Sequence, residues 1–493
     1  MIPSRVGRRE ALLGSLGALA TAALASCTAD PGAPATSRLI GPDSAEVRGA
    51  ERLRRPVGQR VVTERITAKP TTVDLGSRTV ETWTYGDSVP GPVLRTTAGD
   101  LLRVELTNQL PSATSIHWHG LALSNDMDGV PGMTQDPIRS GEVFSYEFTT
   151  PDPGTYFFHP HSGVQLDRGL YGSLVVDDPA EPGGYDQEWI VVLDDWIDGT
   201  GQTPDEVLAG LVSMSGMGHG GMMGESMHSP VLGGAGDVDH PHYLINGRTP
   251  EAPATLSGRP GQRARIRIIN AGSDTAFRVA LGGHRLTVSH SDGFPVERVT
   301  TDALLIGMGE RYDVTVDLAD GVFPLVAAAE GKTGAALAVV RTGAGATPRG
   351  GVAVPELSRR VLLGTDLTAD GDVRLEGRSV ERRLDVVLGG DMMPYRWTIN
   401  GARFPDTEPL EVAPGERIRL RLQNRSMMFH PMHLHGHTFG LVEGGARKDT
   451  VIVRPRQSVE VDLEADNPGQ WALHCHNVYH AEAGMMAVLS YRR

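Results

Sequence analysis

The chain is predicted to be an all-β protein built as three tandem β-sandwiches, and three observations carry that prediction. A pattern Gly-x-x-x-Arg-apolar-x-apolar-x-Asn occurs at residues 99–108, 261–270 and 415–424. Within each copy apolar and polar residues alternate: Leu102, Val104 and Leu106, then Ala264, Ile266 and Ile268, then Ile418, Leu420 and Leu422. That two-residue period belongs to a half-buried strand. Copies so far apart mark tandem domains, because solenoid repeats are much shorter. The length of 493 residues agrees, at roughly 150 residues per domain. The 61 glycines and 33 prolines, without a collagen-like period, suit many short strands joined by turns.

From the amino end, Arg5, Arg8 and Arg9 precede an apolar stretch, residues 11–25, too short to span a bilayer. It reads as an export signal. Arg8-Arg9 ahead of Leu12-Leu13 resembles a twin-arginine signal, although Glu10 and Ala11 depart from the usual flanks. Leu24-Ala25-Ser26-Cys27 resembles a bacterial lipobox, which would make a lipidated Cys27 the first mature residue; cleavage near Ala25 with Cys27 incidental is the alternative. The expected location is the extracytoplasmic side of the cell envelope, with the membrane touched only through Cys27. Residues 28–55 are expected to be a flexible tether. The sandwiches are expected at 56–182, 185–346 and 352–493, joined through 179–184 and 343–354. No later segment looks transmembrane.

With 60 acidic against 46 basic residues, the net charge of −14 disfavours nucleic acid or an anionic membrane surface as a partner. There are two cysteines. If Cys27 is an anchor, Cys475 has no disulfide partner although export would permit one, and a metal ligand explains a lone thiol there.

Cys475 stands in His474-Cys475-His476, followed by His480 and Met485. Thiolate, imidazole and a weak axial thioether form the donor set of a blue-copper centre. On a strand Cys475 faces one way and its two neighbours the other, so a second metal site is expected behind the first. Three further clusters are His117-Trp118-His119, His159-Pro160-His161 and His430-Pro431-Met432-His433-Leu434-His435. Residues 153–161 align without a gap on residues 468–476, so the first and third sandwiches share a strand ending in His-x-His. The second has Thr275-Ala276-Phe277-Arg278 where its partners carry histidines, and is expected to hold no metal ligand.

These four motifs, in this order, resemble those of the three-domain multicopper oxidases over nearly all the chain after residue 55. The resemblance implies cupredoxin-like Greek-key sandwiches and four coppers per chain. Type 1 copper would take His430, Cys475, His480 and axial Met485; type 2 would take His117 and His433. The type 3 pair would take His119, His159, His161, His435, His474 and His476. Asp128, before Gly129, falls where the family places an acid that assists proton delivery. Related bacterial enzymes often carry Glu directly after the second type 1 histidine; here Ala481 stands there, and Glu482 is not a simple substitute. Met485, rather than Leu or Phe, implies a low to moderate potential. His437 and the histidines at 240, 242, 284 and 290 are expected to be structural.

Residues 213–228 contain Met214, Met217, Met222, Met223 and Met227 among glycines. Thioethers with little to pack against suit Cu(I) as a substrate. Met427 and Met428 precede His430, and Met308 lies in Gly307-Met308-Gly309-Glu310-Arg311; both features resemble the copper-tolerance oxidases, with Ser426 where an acid is usual. The nearest resemblance is to exported actinobacterial, mycobacterial-type lipoprotein copper oxidases. The implied reaction is oxidation of Cu(I), and of phenols or aromatic amines, coupled to reduction of dioxygen to water by a monomer, for copper detoxification. A laccase with an organic physiological substrate is the alternative. A copper-binding or electron-transfer protein without oxygen chemistry is the third reading.

Overall fold

The computed structural model describes residues 38–181, 183–214 and 228–493. The signal, Cys27, Met217, Met222, Met223 and Met227 lie outside them. From Leu39 to Arg493 the chain forms one compact unit. Six sheets of four to six strands make it up, and each sandwich pairs two of them. Among the described residues no helix is long and apolar enough to cross a membrane.

Each copy of the repeat is a central strand with the same three jobs for its signature residues. The strands are Leu101–Asn108, Arg263–Asn270 and Arg417–Asn424. Each runs parallel to the opening strand of its sandwich, Val61–Asp74, Gln187–Trp196 or Arg382–Met392. The repeat glycines Gly99, Gly261 and Gly415 turn into the strand at φ +90, +80 and +86, which glycine adopts without strain. The repeat arginines cross to a carboxylate on the next strand: Arg103 to Glu147, Arg265 to Asp313, Arg419 to Asp462. The asparagines end the strand identically. Asn108 Nδ2 donates to the carbonyls of Ser112 and Ile138, Asn270 to those of Thr275 and Ile306, Asn424 to those of Met428 and Val453. Each Oδ1 accepts the N–H two residues on. A buried amide thereby satisfies backbone groups where the ladder stops.

Two expectations fail. The segment expected as a tether ends in a helix, α1, at Ala45–Arg54, with Ser44 as its N-cap. The helix is held by tertiary contacts that composition does not reveal: Glu51 Oε1 accepts Thr149 N–H and Oγ1–H at 3.1 and 2.9 Å, Arg54 donates to Asn467 Oδ1 at 2.6 Å, and Ile40 N donates to Tyr491 O at 2.7 Å. The third sandwich also starts later than 352. Val361–Leu362 extends the second sandwich's sheet by pairing in parallel with Ala303 and Leu304, because buried Leu362 joins the apolar core. The opening strand of the third sandwich begins at Arg382.

Candidate metal centres

The histidine motifs sit on paired strands of the first and third sandwiches. His117–His119 pairs antiparallel with Gly154–His159, placing His117 opposite His159. His430–Leu434 pairs with Gln470–Cys475, placing His433 opposite His474. Alternation then divides the motif around Cys475. Its Sγ lies 3.6 Å from His430 Nδ1 and 3.5 Å from His480 Nδ1. On the other face His474 Nε2 is 3.0 Å from His435 Nε2 and 3.4 Å from His161 Nε2, and His476 Nε2 is 3.4 Å from His159 Nε2. His480 comes from the short helix Val478–Glu482, which Asn477 caps by accepting the N–H groups of Tyr479 and His480.

Four groups of imidazole or thiolate donors stand among those that result: His117, His119 and His433; His119, His159 and His476; His161, His435 and His474; and His430, Cys475 and His480. Each of the first three mixes the two outer sandwiches. Met485 is wholly buried, and its carbonyl accepts the N–H of Cys475 at 3.1 Å.

Neighbouring acceptors fix which ring nitrogen is free. The Nδ1–H groups of His117, His159, His433 and His474 donate to the carbonyls of Asp128, Pro160, Asp449 and Cys475, at 2.9 to 3.0 Å. His435 Nδ1–H donates to Asp128 Oδ2 at 2.9 Å. Nε2 therefore remains for a metal, and outer partners of this kind orient ligands and tune basicity. At His119 the order reverses, since Nε2 meets Thr450 Oγ1 and Asp449 Oδ1, each at 3.2 Å. Nε2 of His117 and His433 and Nδ1 of His119 are buried with no hydrogen-bond partner among the described residues. Buried nitrogens left bare and converging in threes are unfavourable unless an ion completes them. The donor chemistry fits copper: imidazoles in three groups, and two imidazoles with a thiolate in the fourth.

Burial, reinforced by neighbouring imidazoles, holds His119, His159, His161, His435 and His476 well below the ordinary histidine value, and lowers His474 to about 3. These rings are neutral at pH 7, with lone pairs available. Their folded values lie below the unfolded one, so in acid the unfolded chain binds more protons. The contribution of these six rings to the stability of the copper-free protein should therefore be fully present above pH 6.5 and lost as pH falls toward about 3. His480 runs the other way: burial opposes protonation, but the Asp237 carboxylate outweighs it and raises this ring to about 10. Thermal melting of copper-free protein between about pH 8 and pH 5 should give a falling midpoint; a flat one would contradict the buried neutral rings.

Asp128 is fully buried and touches two groups, with Oδ2 on His435 and Oδ1 3.2 Å from His117 Nδ1. Glu482 lines a cavity of about 30 Å³ with His159, His161, His474, His476 and Ala481. Ser426 Oγ lies 2.8 Å from His430 Nε2. His437 is buried against Tyr491 Oη at 2.6 Å and belongs to none of the four groups. Met308 is no surface donor; it packs with Leu232, Phe429 and Ile452. Met214 ends the helix Pro204–Met214, which packs on the strand Tyr395–Ile399.

Sequence reasoning missed Asp237. This residue of the second sandwich accepts the Nε2–H of His480 at 2.8 Å and the phenolic hydroxyl of Tyr395 at 2.7 Å. The Trp397 ring packs on His480 with centroids 4.1 Å apart. A lone acid 243 residues from the histidine it meets leaves no local signal. The middle sandwich thus supplies none of the four donor groups but reaches an outer edge of one.

Family models described as multicopper oxidase match residues 66–181, 188–345 and 380–493. The chain is 49% identical over 482 residues to Multicopper oxidase MmcO of Mycobacterium tuberculosis, covering 95% of this chain and 94% of that protein. It is 29% identical to a Copper resistance protein A homolog of Pseudomonas syringae pv. tomato, over 85% of this chain and 90% of the relative. Among solved structures, the multi-copper oxidase from Pseudomonas thermotolerans matches with a TM-score of 0.68 at 27% identity, over 88% of this chain and all of that one. A β-sandwich triplet whose converging imidazoles and buried thiolate suit copper, matched along all three sandwiches, belongs to the multicopper oxidase family, and is an oxygen-using oxidoreductase with copper as its cofactor.

Proposed function

We propose that the protein oxidises Cu(I) at its outer face and passes the electrons to dioxygen, which is reduced to water, and that it serves copper detoxification in the cell envelope after export. In this reading His430, Cys475, His480 and Met485 hold type 1 copper, His117 and His433 type 2, and the remaining six cluster histidines the type 3 pair. Copper bound there supplies one-electron storage at four centres, which matches single-electron donors to a four-electron acceptor. Cys475 links the two faces: its thiolate belongs to one group while the neighbouring imidazoles belong to the others. The strand pairing holds His433 and His474 in register.

The observation that carries the Cu(I) reading is the soft-donor surface beside His430 and His480. Met427, 65% exposed, directly follows Ser426, whose hydroxyl touches His430. Met393, 55% exposed, flanks the turn into Tyr395, which shares Asp237 with His480. Met428 packs behind Gly234 on the approach to Asp237. Thioethers favour Cu(I), and a carboxylate on the outer nitrogen of His480 replaces the acid absent at 426. The helix Pro204–Met214, which packs on this strand, directly precedes the Met-rich segment in the sequence. The names of the copper-resistance relatives point the same way.

A phenol as physiological reductant is the second reading. Asp237 Oδ1, buried and without a partner among the described residues, could accept a phenolic hydroxyl. Deleting residues 213–228 separates the two. Steady-state Cu(I) oxidation should fall by about tenfold or more, the loss of a contact worth ~1.4 kcal/mol, while phenol oxidation is retained. Equal losses, or none, would count against the Cu(I) reading.

A further inference from the structure

The middle sandwich reaches the trinuclear donor set as well, at the turn 307–311. Arg311 is wholly buried and donates from Nη1 and Nη2 to Asp449 Oδ1 and Oδ2, each at 2.7 Å. Its Nε donates to the carbonyl of Thr155, at 3.0 Å, on the strand that carries His159. One guanidinium thus ties all three sandwiches, in the bidentate geometry that sets orientation most strictly.

Asp449 hands that orientation on. Its Oδ1 lies 3.2 Å from His119 Nε2 and accepts Thr450 Oγ1–H at 2.8 Å, while its carbonyl accepts the Nδ1–H of His433. His119 and His433 stack with centroids 3.8 Å apart. His119 is the ring turned to present Nδ1, and nothing in its own strand dictates that choice. The turn also presses on it directly: a Cβ at Gly309, where φ is +83, would stand 2.9 Å from His119 Cε1 and 2.8 Å from His476 Cδ2. Only glycine lets this backbone lie against both rings.

We propose that the turn 307–311 of the ligand-free sandwich is a positioning element for the trinuclear centre, with Arg311 locking Asp449 so that His119 presents Nδ1 rather than Nε2. The proposal rests on the ligand reading above. It does not require Arg311 to touch copper or substrate.

The test uses copper-loaded full-length protein as wild type, Arg311→Met, Arg311→Lys and Asp449→Asn. Copper per chain, the blue absorption, the near-ultraviolet band of the coupled pair and the type 2 electron paramagnetic signal are measured, together with melting of each copper-free form. Arg311→Met and Asp449→Asn should keep the blue absorption, although Arg311→Met, which leaves the Asp449 carboxylate buried without its partner, should lower the copper-free midpoint. They should weaken trinuclear copper binding by about 10–100-fold, as loss of an outer partner does, with the near-ultraviolet band lowered. Arg311→Lys, which keeps the charge but not the fork, should fall between. Should Arg311→Met not fold, Gly309→Ala leaves the ion pair intact and is expected to give the same spectral signature. Unchanged trinuclear signals in all variants would overturn the proposal. So would blue and trinuclear signals falling together, the mark of a purely structural contact. A wild type lacking the coupled pair would instead sink the ligand reading itself.

Discussion

Cys475→Ser should abolish the blue absorption and reduce oxidation of both Cu(I) and phenols to background, while copper falls by one per chain and the type 2 signal persists. The expectation follows from the division of faces along the strand Gln470–Cys475. The Sγ of Cys475 is shared only with His430 and His480, whereas the rings of the other groups do not depend on it for orientation. A hydroxyl is a poor ligand where a thiolate is required, yet it fits the same buried space. The change should therefore cost little stability. Metal analysis, visible absorption and paramagnetic resonance on one preparation check all parts of this result. Retained blue colour would remove Cys475 from the type 1 site, and simultaneous loss of type 2 copper would mean that the two faces are not separable.

Asp128→Asn should slow reoxidation of the reduced protein by dioxygen about 10–100-fold, the usual scale for an outer partner of metal ligands, without altering the blue band. Asp128 serves two groups at once: its carboxylate accepts from His435 at 2.9 Å and its carbonyl accepts from His117, also at 2.9 Å. The substitution keeps the shape and the carbonyl but removes a buried charge between rings assigned to type 2 and type 3 copper. Electron uptake, which involves the far face of Cys475, should be unaffected. Stopped-flow reduction of the blue band by a phenol, followed by mixing with dioxygen, separates the two limbs. Reoxidation at the wild-type rate would leave Asp128 as a structural residue only.

The donor groups were legible because each motif compresses its chemistry into three to six residues, where alternation along a strand decides facing. The repeat was legible for a similar reason: Gly99, Arg103 and Asn108 each answer a local need of one strand, and the same need recurs at 261–270 and 415–424. What escaped the sequence is held by single residues meeting across sandwiches. Asp237 reaches His480, Arg311 reaches Asp449, and Glu51 reaches Thr149 only after the chain has folded; each is an ordinary acid or base in its own neighbourhood. The helix Ala45–Arg54 looked like a tether because its stability lies in those distant partners rather than in an apolar stripe. Met308 stands between two glycines, so its own neighbourhood does not show that it packs among aromatic and aliphatic side chains.

The mixing of donors from the two outer sandwiches has a consequence for biogenesis. His161 and His474 are separated by 313 residues of chain, and each of the three mixed groups needs members from both outer sandwiches. An amino-terminal fragment that ends before residue 433 contains none of the three mixed groups, and those of His161 and of His159 are completed only by His474 and His476, after the second sandwich has been synthesised. Full metallation is therefore a late event that records successful completion of the whole chain, and a product truncated before residue 474 would carry the first sandwich's histidines without ever assembling the centre.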